Sequence, residues 1–268
     1  MVRRKTEPPR GILKTPVAKA NRYRYERYYP SPDLAPFVEH FWLVEWDLRG
    51  QPPERAETLP HPSVHMIFER DGRSRIRGPA RAKFSTTLEG QGRVFAVKFT
   101  PGGFYPFARV PVSRFTDDTV RLADVFGGDA DALDRAVVAE TEDAPRIEAV
   151  ECFLRDRAPE PDENVQRATE IVYAVARDRG ILNVSELVRQ FGLTKRTLQR
   201  LFAKYVGVSP KWVIQRYRLH EAAERIGQAE PSAGYADLAL ELGYSDQAHF
   251  VRDFKAIVGV TPGAYARR

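Results

Sequence analysis

Two short stretches near the C-terminus repeat apolar residues every three or four positions, the period of one helix face. The first stretch follows Asn183, which has Glu186 three residues on, and this spacing predicts a capping box. Gly192 ends the predicted helix because glycine takes the left-handed conformation at little cost. Thr194 then caps a second helix whose apolar stripe turns inward. The pattern therefore predicts a helix-turn-helix over residues 183–210.

The outward face of the second predicted helix is rich in cations and long polar side chains. These are Lys195, Arg196, Gln199, Arg200 and Lys204. Lysine and arginine release counterions from phosphates, and Gln and Arg can form two hydrogen bonds with a base edge. The face therefore suits the major groove of DNA. The alternative is a merely solvated helix face.

A second copy of this segment favours the DNA-binding interpretation. A shift of 52 positions places residues 201–210 on residues 253–262, and each copy ends in a Val-Gly-Val-Ser/Thr-Pro corner. Gly192 pairs with Gly243 at a shift of 51, so the second turn is one residue longer. Tandem units are a more specific signal than either unit alone.

Together these residues resemble the AraC/XylS family of bacterial transcription regulators. The matching motifs are FGLTKRTLQRLF, the GVSP corner and LGYSDQAHFVRDFKAIVGVTPGAY. The resemblance implies an all-α double helix-turn-helix domain over residues 164–268, with units at 183–210 and 235–262 joined by a helix over 210–226. It also implies a sequence-specific regulator with double-stranded promoter DNA and RNA polymerase as partners. The block 95–127 further resembles the sensor domains of this family.

Site residues can be assigned to both units. We expect the phosphates to be contacted by Lys195, Lys204 and Lys255. We expect the bases to be read by Arg196, Gln199 and Arg200 in the first unit and by Gln247 and Arg252 in the second. Asp246 and Asp253 make the second helix less basic, so the first unit is expected to supply more of the affinity.

Residues 23–157 contain short alternating strands and then helical periods. They predict an α+β domain, either a small antiparallel sheet or a cupin-like barrel, plus helices. The predicted strands are 23–29, 42–48, 63–69, 73–77 and 93–100, with a hairpin turn at 71–72. A short helix is expected over 33–40 and a loop over 49–60. Two amphipathic helices after residue 129 are expected to pack on this sheet, with a second subunit as the alternative.

The formal net charge of +6 is unevenly spread along the 268 residues. Residues 1–28 hold 9 Lys and Arg against 2 Asp and Glu, residues 29–162 hold 17 against 23, and residues 163–268 hold 16 against 11. A basic domain beside an acidic one is typical of a nucleic-acid-binding module attached to a different kind of domain. We expect residues 1–22 to be disordered and residues 158–163 to be a linker.

Cys152 is the single cysteine, which excludes an intrachain disulfide and a thiolate zinc cluster. We expect it to be a small core or partly buried residue. No apolar run reaches the roughly 18 residues of a membrane span, so we expect a cytoplasmic protein without membrane contact.

The N-terminal domain offers one set of residues that could hold a metal. His61, His65 and Glu69 are four apart along a predicted strand, which suggests a cupin-type metal enzyme as the alternative function. The spacing differs from the usual His-x-His pair, and the prolines beside His61 interrupt the strand. We therefore expect no catalytic residue, metal or cofactor. His65 and Trp42 are instead candidates for binding a small-molecule effector. We also consider a homodimer as an expected assembly.

Overall fold

A computed structural model of the chain describes residues 3–6, 12–14, 22–69, 74–157, 159–160, 162–228 and 234–267. The strands are β1 (Ile12–Lys14), β2 (Tyr23–Tyr28), β3 (Val38–Leu48), β4 (Glu54–Thr58), β5 (His65–Glu69), β6 (Arg75–Arg77), β7 (Phe84–Leu88), β8 (Gly90–Phe99) and β9 (Thr119–Arg121). The helices are α1 (Tyr105–Ala108), α2 (Leu122–Phe126), α3 (Asp129–Ala139), α4 (Asp143–Arg155), α5 (Glu163–Arg177), α6 (Val184–Phe191), α7 (Lys195–Leu201), α8 (Pro210–Gln228), α9 (Gly234–Glu241), α10 (Gln247–Val258) and α11 (Pro262–Ala266). A 3-10 turn covers Val112–Phe115, and a π-helical turn at Phe202–Val206 extends α7.

Six strands form the larger antiparallel sheet, in the order β2-β3-β8-β5-β6-β9. Its long central strands, β3 and β8, pair along almost their whole length. Both are rich in aromatic and β-branched residues, which suit a pleated surface. Phe95, Val97 and Phe99 alternate along β8 and are at most 3% exposed. They form part of the main core of the N-terminal region, as their spacing predicted.

Helices α2, α3 and α4 cover this core. Leu133 of α3 and Ile147 and Leu154 of α4 lie in the same buried cluster as the β8 side chains. The expectation that the two amphipathic helices pack on the sheet is therefore confirmed. The expectation for Cys152 is wrong, because its side chain is exposed while its neighbour Phe153 occupies the buried stripe.

A second antiparallel sheet has the order β1-β4-β7. The predicted loop over 49–60 is wrong, because its second half forms β4. Glu54 pairs with Leu88 and Thr58 with Phe84 across β7. These hydrogen bonds come from a strand about thirty residues away, so the local Pro-rich and polar composition did not reveal them. The fold class is confirmed as antiparallel sheets with helices, followed by an all-helical domain.

The predicted helix over 33–40 is also wrong. Residues 32–37 form turns, closed by bonds such as Phe37 N to Leu34 O at 2.9 Å. His40 already lies in β3, where it pairs with Lys98 of β8. Pro36 lacks the N–H that a continuing helix would need, and the sheet offers the next residues a ladder instead. The predicted turn at 71–72 and most of residues 1–22 lie outside the described residues. The expected disorder is wrong for the described segments of that tail, because Ile12–Lys14 form β1 and Lys5 N donates to Arg27 O at 2.7 Å.

The C-terminal helices bury two separate cores. The first contains α5, α6, α7 and the start of α8, with Leu187, Leu198 and Val213 fully buried. The second contains the rest of α8 with α9 and α10, around Leu219 and Phe250. Helix α8 thus crosses from one core to the other, as expected for the joining helix.

The N-terminal region also contacts both of these cores. Phe37 and Tyr105 pack against the first, and Leu59, which is 2% exposed, is a member of the second. The ring of Tyr105 lies 4.7 Å from that of Tyr205, centroid to centroid. We keep the division into residues 23–157 and 164–268 as a proposal, with these contacts joining the two parts.

Candidate nucleic-acid interface

The first helix-turn-helix unit has the local geometry that the sequence predicted. Asn183 accepts a hydrogen bond from Glu186 N at 3.1 Å, and the Glu186 carboxylate accepts one from Asn183 N at 3.2 Å. Gly192 ends α6 in the left-handed conformation, with φ at 61°. Thr194 Oγ1 then accepts from Thr197 N at 3.1 Å and begins α7. Buried Leu198 fixes which face of α7 turns outward.

Four of the predicted DNA-binding residues form one exposed row on α7. They are Lys195, Arg196, Gln199 and Arg200. Within the described part of the chain, these side chains have no hydrogen bond or ion pair to another residue. A row of free cations and amides is available to phosphates and base edges.

Lys204 lies apart from this row. It belongs to the π-helical turn, and its ammonium lies 4.6 Å from the centre of the Tyr105 ring and 5.2 Å from that of Tyr205. Hydrogen bonding with Tyr105 raises the pKa of Lys204 above its usual value. Tyr205 in turn donates to Asp162 Oδ2 at 2.5 Å. The side chain therefore has partners at the contact between the two parts of the chain.

The second unit repeats this arrangement. Asp246 caps α10 by accepting from His249 N at 2.7 Å, and this bond lowers the pKa of Asp246. The exposed face then carries the three residues predicted for this unit. They are Gln247, Arg252 and Lys255.

Asp253 is turned away from that exposed face. Its Oδ2 accepts from Gln215 Nε2 at 3.0 Å, and His249 Nε2 lies 3.2 Å from the same oxygen. The acidic residues of α10 are thus occupied by a cap and by α8. They therefore reduce the positive charge of the exposed face less than the number of acidic residues in this segment suggests.

The candidate effector residues contact each other. Trp42 Nε1 donates to His65 Nδ1 at 3.2 Å, which requires a neutral imidazole nitrogen. Burial lowers the pKa of His65 to about 3 and keeps it neutral. Neither residue lines the large cleft described below.

The three residues considered for a metal do not come together. Both carboxylate oxygens of Glu69 accept from Arg75 at 2.7 Å. His61 precedes β5, and its Nδ1 lies 3.2 Å from an Nη atom of Arg216 on α8. Among the residues that the structure describes, no group of three His, Cys, Asp or Glu side chains could hold a metal ion.

A buried charge network joins the sheet to α5. Lys98 Nζ lies 3.0 Å from Glu39 Oε1, and Tyr173 Oη donates to Glu39 Oε2 at 3.3 Å. Burial alone would raise the pKa of Glu39, but Lys98 and His40 together outweigh this and lower it. Burial also lowers the pKa of Lys98. This network is the polar floor of a cleft, because Glu39 and Tyr173 both line it.

The cleft has a volume of about 1220 Å³ and lies between the N-terminal region and α5. One wall comes from the β2–β3 connection and α4, with Tyr29 and Ile147. The other wall comes from α5, with Gln166 and Thr169. A molecule bound there would touch both parts of the chain. This cleft could not be foreseen from sequence, because the β2–β3 connection and α5 are more than a hundred residues apart in the chain.

No helix in the described part of the chain is long and apolar enough to cross a membrane.

Two family models match the chain. Residues 26–121 match a domain of unknown function (DUF6597), and residues 187–268 match a helix-turn-helix domain. The transcriptional activator AarP of Providencia stuartii is 33% identical over 84 residues, which are 31% of this chain and 61% of AarP. The virulence regulon activator VirF of Yersinia enterocolitica is 28% identical over 109 residues, 41% of this chain and 38% of VirF.

The regulator YtdP of Bacillus subtilis is 24% identical over 173 residues, which are 60% of this chain and 22% of YtdP. The chain thus covers less than two thirds of each of these relatives. Among solved structures, ToxT of Vibrio cholerae aligns over 92% of this chain and 98% of its own, with 11% identity and a TM-score of 0.38.

Proposed function

We infer that this chain binds promoter DNA with α7 and α10. Through its helix-turn-helix domain, it belongs to the AraC/XylS family of bacterial transcription regulators. One observation carries the proposal. Two equivalent helices, each begun by a side-chain cap, present polar and cationic rows free of partners in the described residues. The named regulators to which the domain is similar support the same function.

The spacing of the two helices supports contact with two successive major grooves. Helix α8 has 19 residues, which at 1.5 Å per residue is about 28 Å. One turn of B-DNA is about 34 Å, so units joined by such a helix can lie one turn apart on the same face. A monomer would then protect two grooves.

Each exposed row is assigned a role by its chemistry. Arg196, Gln199 and Arg200 read bases from α7, because their planar groups can form two bonds with one base edge. Gln247 and Arg252 do the same from α10. The phosphates are contacted by Lys195, Lys255 and Lys204. For Lys204, this requires the ammonium to leave the Tyr105 ring, so Lys195 is the better test of phosphate contact.

The test compares Arg200→Ala with Lys195→Ala. The duplex is first selected from a random pool by the full chain, and both variants are then titrated on it and on a scrambled duplex at several salt concentrations. Arg200→Ala should lose about 1 to 3 kcal/mol on the selected duplex, at one base pair, and little on the scrambled one. Lys195→Ala should weaken both alike and lower the salt slope by about 1.

Arg189→Ala is the matched control, because Arg189 is exposed on α6, outside the two rows. Equal losses for Arg200→Ala on both duplexes would show a phosphate contact and disprove its base-reading role. No loss for either variant would show that the row is only solvated, and the proposed function would fail.

The cleft between the two parts of the chain supports control by a small-molecule effector. Its volume exceeds the few hundred Å³ that a small ligand needs, and it touches both α4 and α5. We therefore assign the effector to this cleft and not to His65 and Trp42. Ala35→Trp, at an exposed position in the cleft wall, should fill the cleft and abolish stabilisation by any compound that raises the melting temperature of the full chain. A compound that stabilises this variant equally would place the effector elsewhere.

RNA polymerase and a second copy of the chain stay as expected partners.

A further inference from the structure

The N-terminal region contacts the same corner in both helix-turn-helix units. Each unit closes with a Val-Gly-Val segment, and its glycine is left-handed, with φ at 87° for Gly207 and 85° for Gly259. These two glycines occupy equivalent positions in the repeat. Both are covered by residues from one small area of the N-terminal region, the β6–β7 connection and the turn after α1.

The first corner is held by a hydrogen bond and by close packing. Thr116 Oγ1 donates to the carbonyl oxygen of Gly207 at 2.7 Å. A Cβ atom placed on Gly207 would lie 2.9 Å from Val112 Cγ1 and 3.1 Å from Pro79 Cγ. The absence of a side chain therefore allows this approach.

The second corner is held by a lysine stem. A Cβ atom placed on Gly259 would lie 2.6 Å from Lys83 Cε, so the stem lies directly on the backbone of the corner. Lys83 Nζ donates to Glu57 Oε1 at 2.6 Å, and Glu57 is 2% exposed. This buried ion pair fixes the stem to β4.

The N-terminal segments that contact the two corners are also hydrogen-bonded to each other. Asp117 N donates to Pro79 O at 2.9 Å, and Arg81 donates to the Asp117 carboxylate through both its backbone N and its Nε at 2.6 Å. A Cβ atom on Gly78 would lie 1.7 Å from Phe115 O, which shows how closely the two segments approach. Asp117 has a positive φ of 59°, an uncommon conformation for a non-glycine residue that the surrounding bonds maintain.

We propose that residues 78–83 and 112–117 form a brace that sets the distance and angle between α7 and α10. The inference rests on the proposed function and adds positioning residues to it, chiefly Lys83 and Thr116. The two units have separate cores, so their relative placement depends on α8 and on contacts with the N-terminal region, among which the brace touches the equivalent corner of each unit. The brace therefore selects the spacing between the two half-sites of the operator.

Half-site spacing is the direct test. One inserted base pair moves the second half-site by about 3.4 Å and rotates it by about 35°. With the duplex selected by the full chain, one insertion should weaken the wild type about tenfold, the usual cost of one mismatched pair. The brace variant is Thr116→Val with Lys83→Ala and Glu57→Gln, in which no buried carboxylate is left without its lysine. It should lose less than about threefold from the same insertion, because mobile units can adjust.

The matched control is Thr119→Val, since Thr119 is exposed on β9 and does not contact either corner. If the brace variant and the control lose the same factor for each insertion, the brace does not set the spacing and the inference is wrong. If the wild type selects no duplex at all, the proposed function fails. Thr116→Val alone is the second variant, should the triple change prevent folding.

A distance measurement tests the brace without DNA. Spin labels at Gln199→Cys and Ala248→Cys, in a Cys152→Ser background, report the separation of α7 and α10, because both positions are exposed. The distance distribution should be narrow with the brace intact and clearly broader in the brace variant. Equal widths would overturn the inference whether or not the protein binds DNA.

Discussion

Replacement of Leu59 should destabilise the second helix-turn-helix unit, although Leu59 lies in the N-terminal region of the sequence. Leu59 follows β4 but is 2% exposed within the core of the second helix-turn-helix unit. Leu59→Ala removes three carbons, which at about 0.8 kcal/mol per buried methylene is about 2.4 kcal/mol. The remaining cavity adds to this, and the loop position allows some collapse. We expect a loss of about 2 to 3 kcal/mol.

The assay is hydrogen exchange read on peptides of α10 in the full chain. Leu59→Ala should lower the free energy of opening of α10 by that amount, while Leu240→Ala should change it by less than about 0.5 kcal/mol. Leu240 is the matched control, because it lies on α9 of the same unit and is 59% exposed. Leu43→Ala, which weakens the main core of the N-terminal region, is a second control. It shows whether general loss of that region, and not the Leu59 contact, lowers the protection of α10.

Unchanged protection of α10 in Leu59→Ala would refute the reasoning, since the second core would then be stable without a residue from the N-terminal region. A fragment over residues 162–268 lacks Leu59 altogether. It contains nearly all of both helical cores and should fold. It should nonetheless show α10 less protected than in the full chain, by at least the Leu59 contribution.

Two further predictions concern local stability. Asn183→Ala removes one half of the capping box and should destabilise α6 by about 1 to 2 kcal/mol in urea unfolding, whereas Ser185→Ala, exposed on the same helix, should have little effect. The folded-state pKa of Glu39 is lowered below its ordinary value of 4.5, so the stability it contributes is present above about pH 4.5 and lost as pH falls below it. Glu39→Gln should therefore flatten the acid limb of a stability–pH curve, and an unchanged limb would show that other carboxylates dominate it.

The helix-turn-helix units could be predicted from sequence because their determinants are local. The capping residues Asn183 and Thr194 and the C-terminal Gly192 each act within four positions, and the structure has all three as predicted. The tandem repeat then distinguished a DNA-binding domain from an ordinary amphipathic helix. The predicted roles of the individual side chains stay predictions.

The errors have a common cause in contacts that are distant in sequence. Strand β4 was missed because its partner is β7, and the helix over 33–40 was preferred because pairing with β8 could not be foreseen. Lys204 shows the same limit within the candidate site. Its spacing put it on the outward face of α7, but the Tyr105 ring, about a hundred residues earlier, already lies beside its ammonium.

The relative strength of the two units can now be argued from geometry as well as from charge. Asp246 and Asp253 had suggested a weak second unit, yet one caps α10 and the other accepts from Gln215 on α8. The remaining difference is in what the equivalent positions carry, since Ala248 stands where the first unit has Arg196. An alanine offers no hydrogen bond to a base edge, so we still expect the first unit to supply the larger share of specific contacts. The second unit then depends more on being held in the correct groove, which is the role that we propose for the brace.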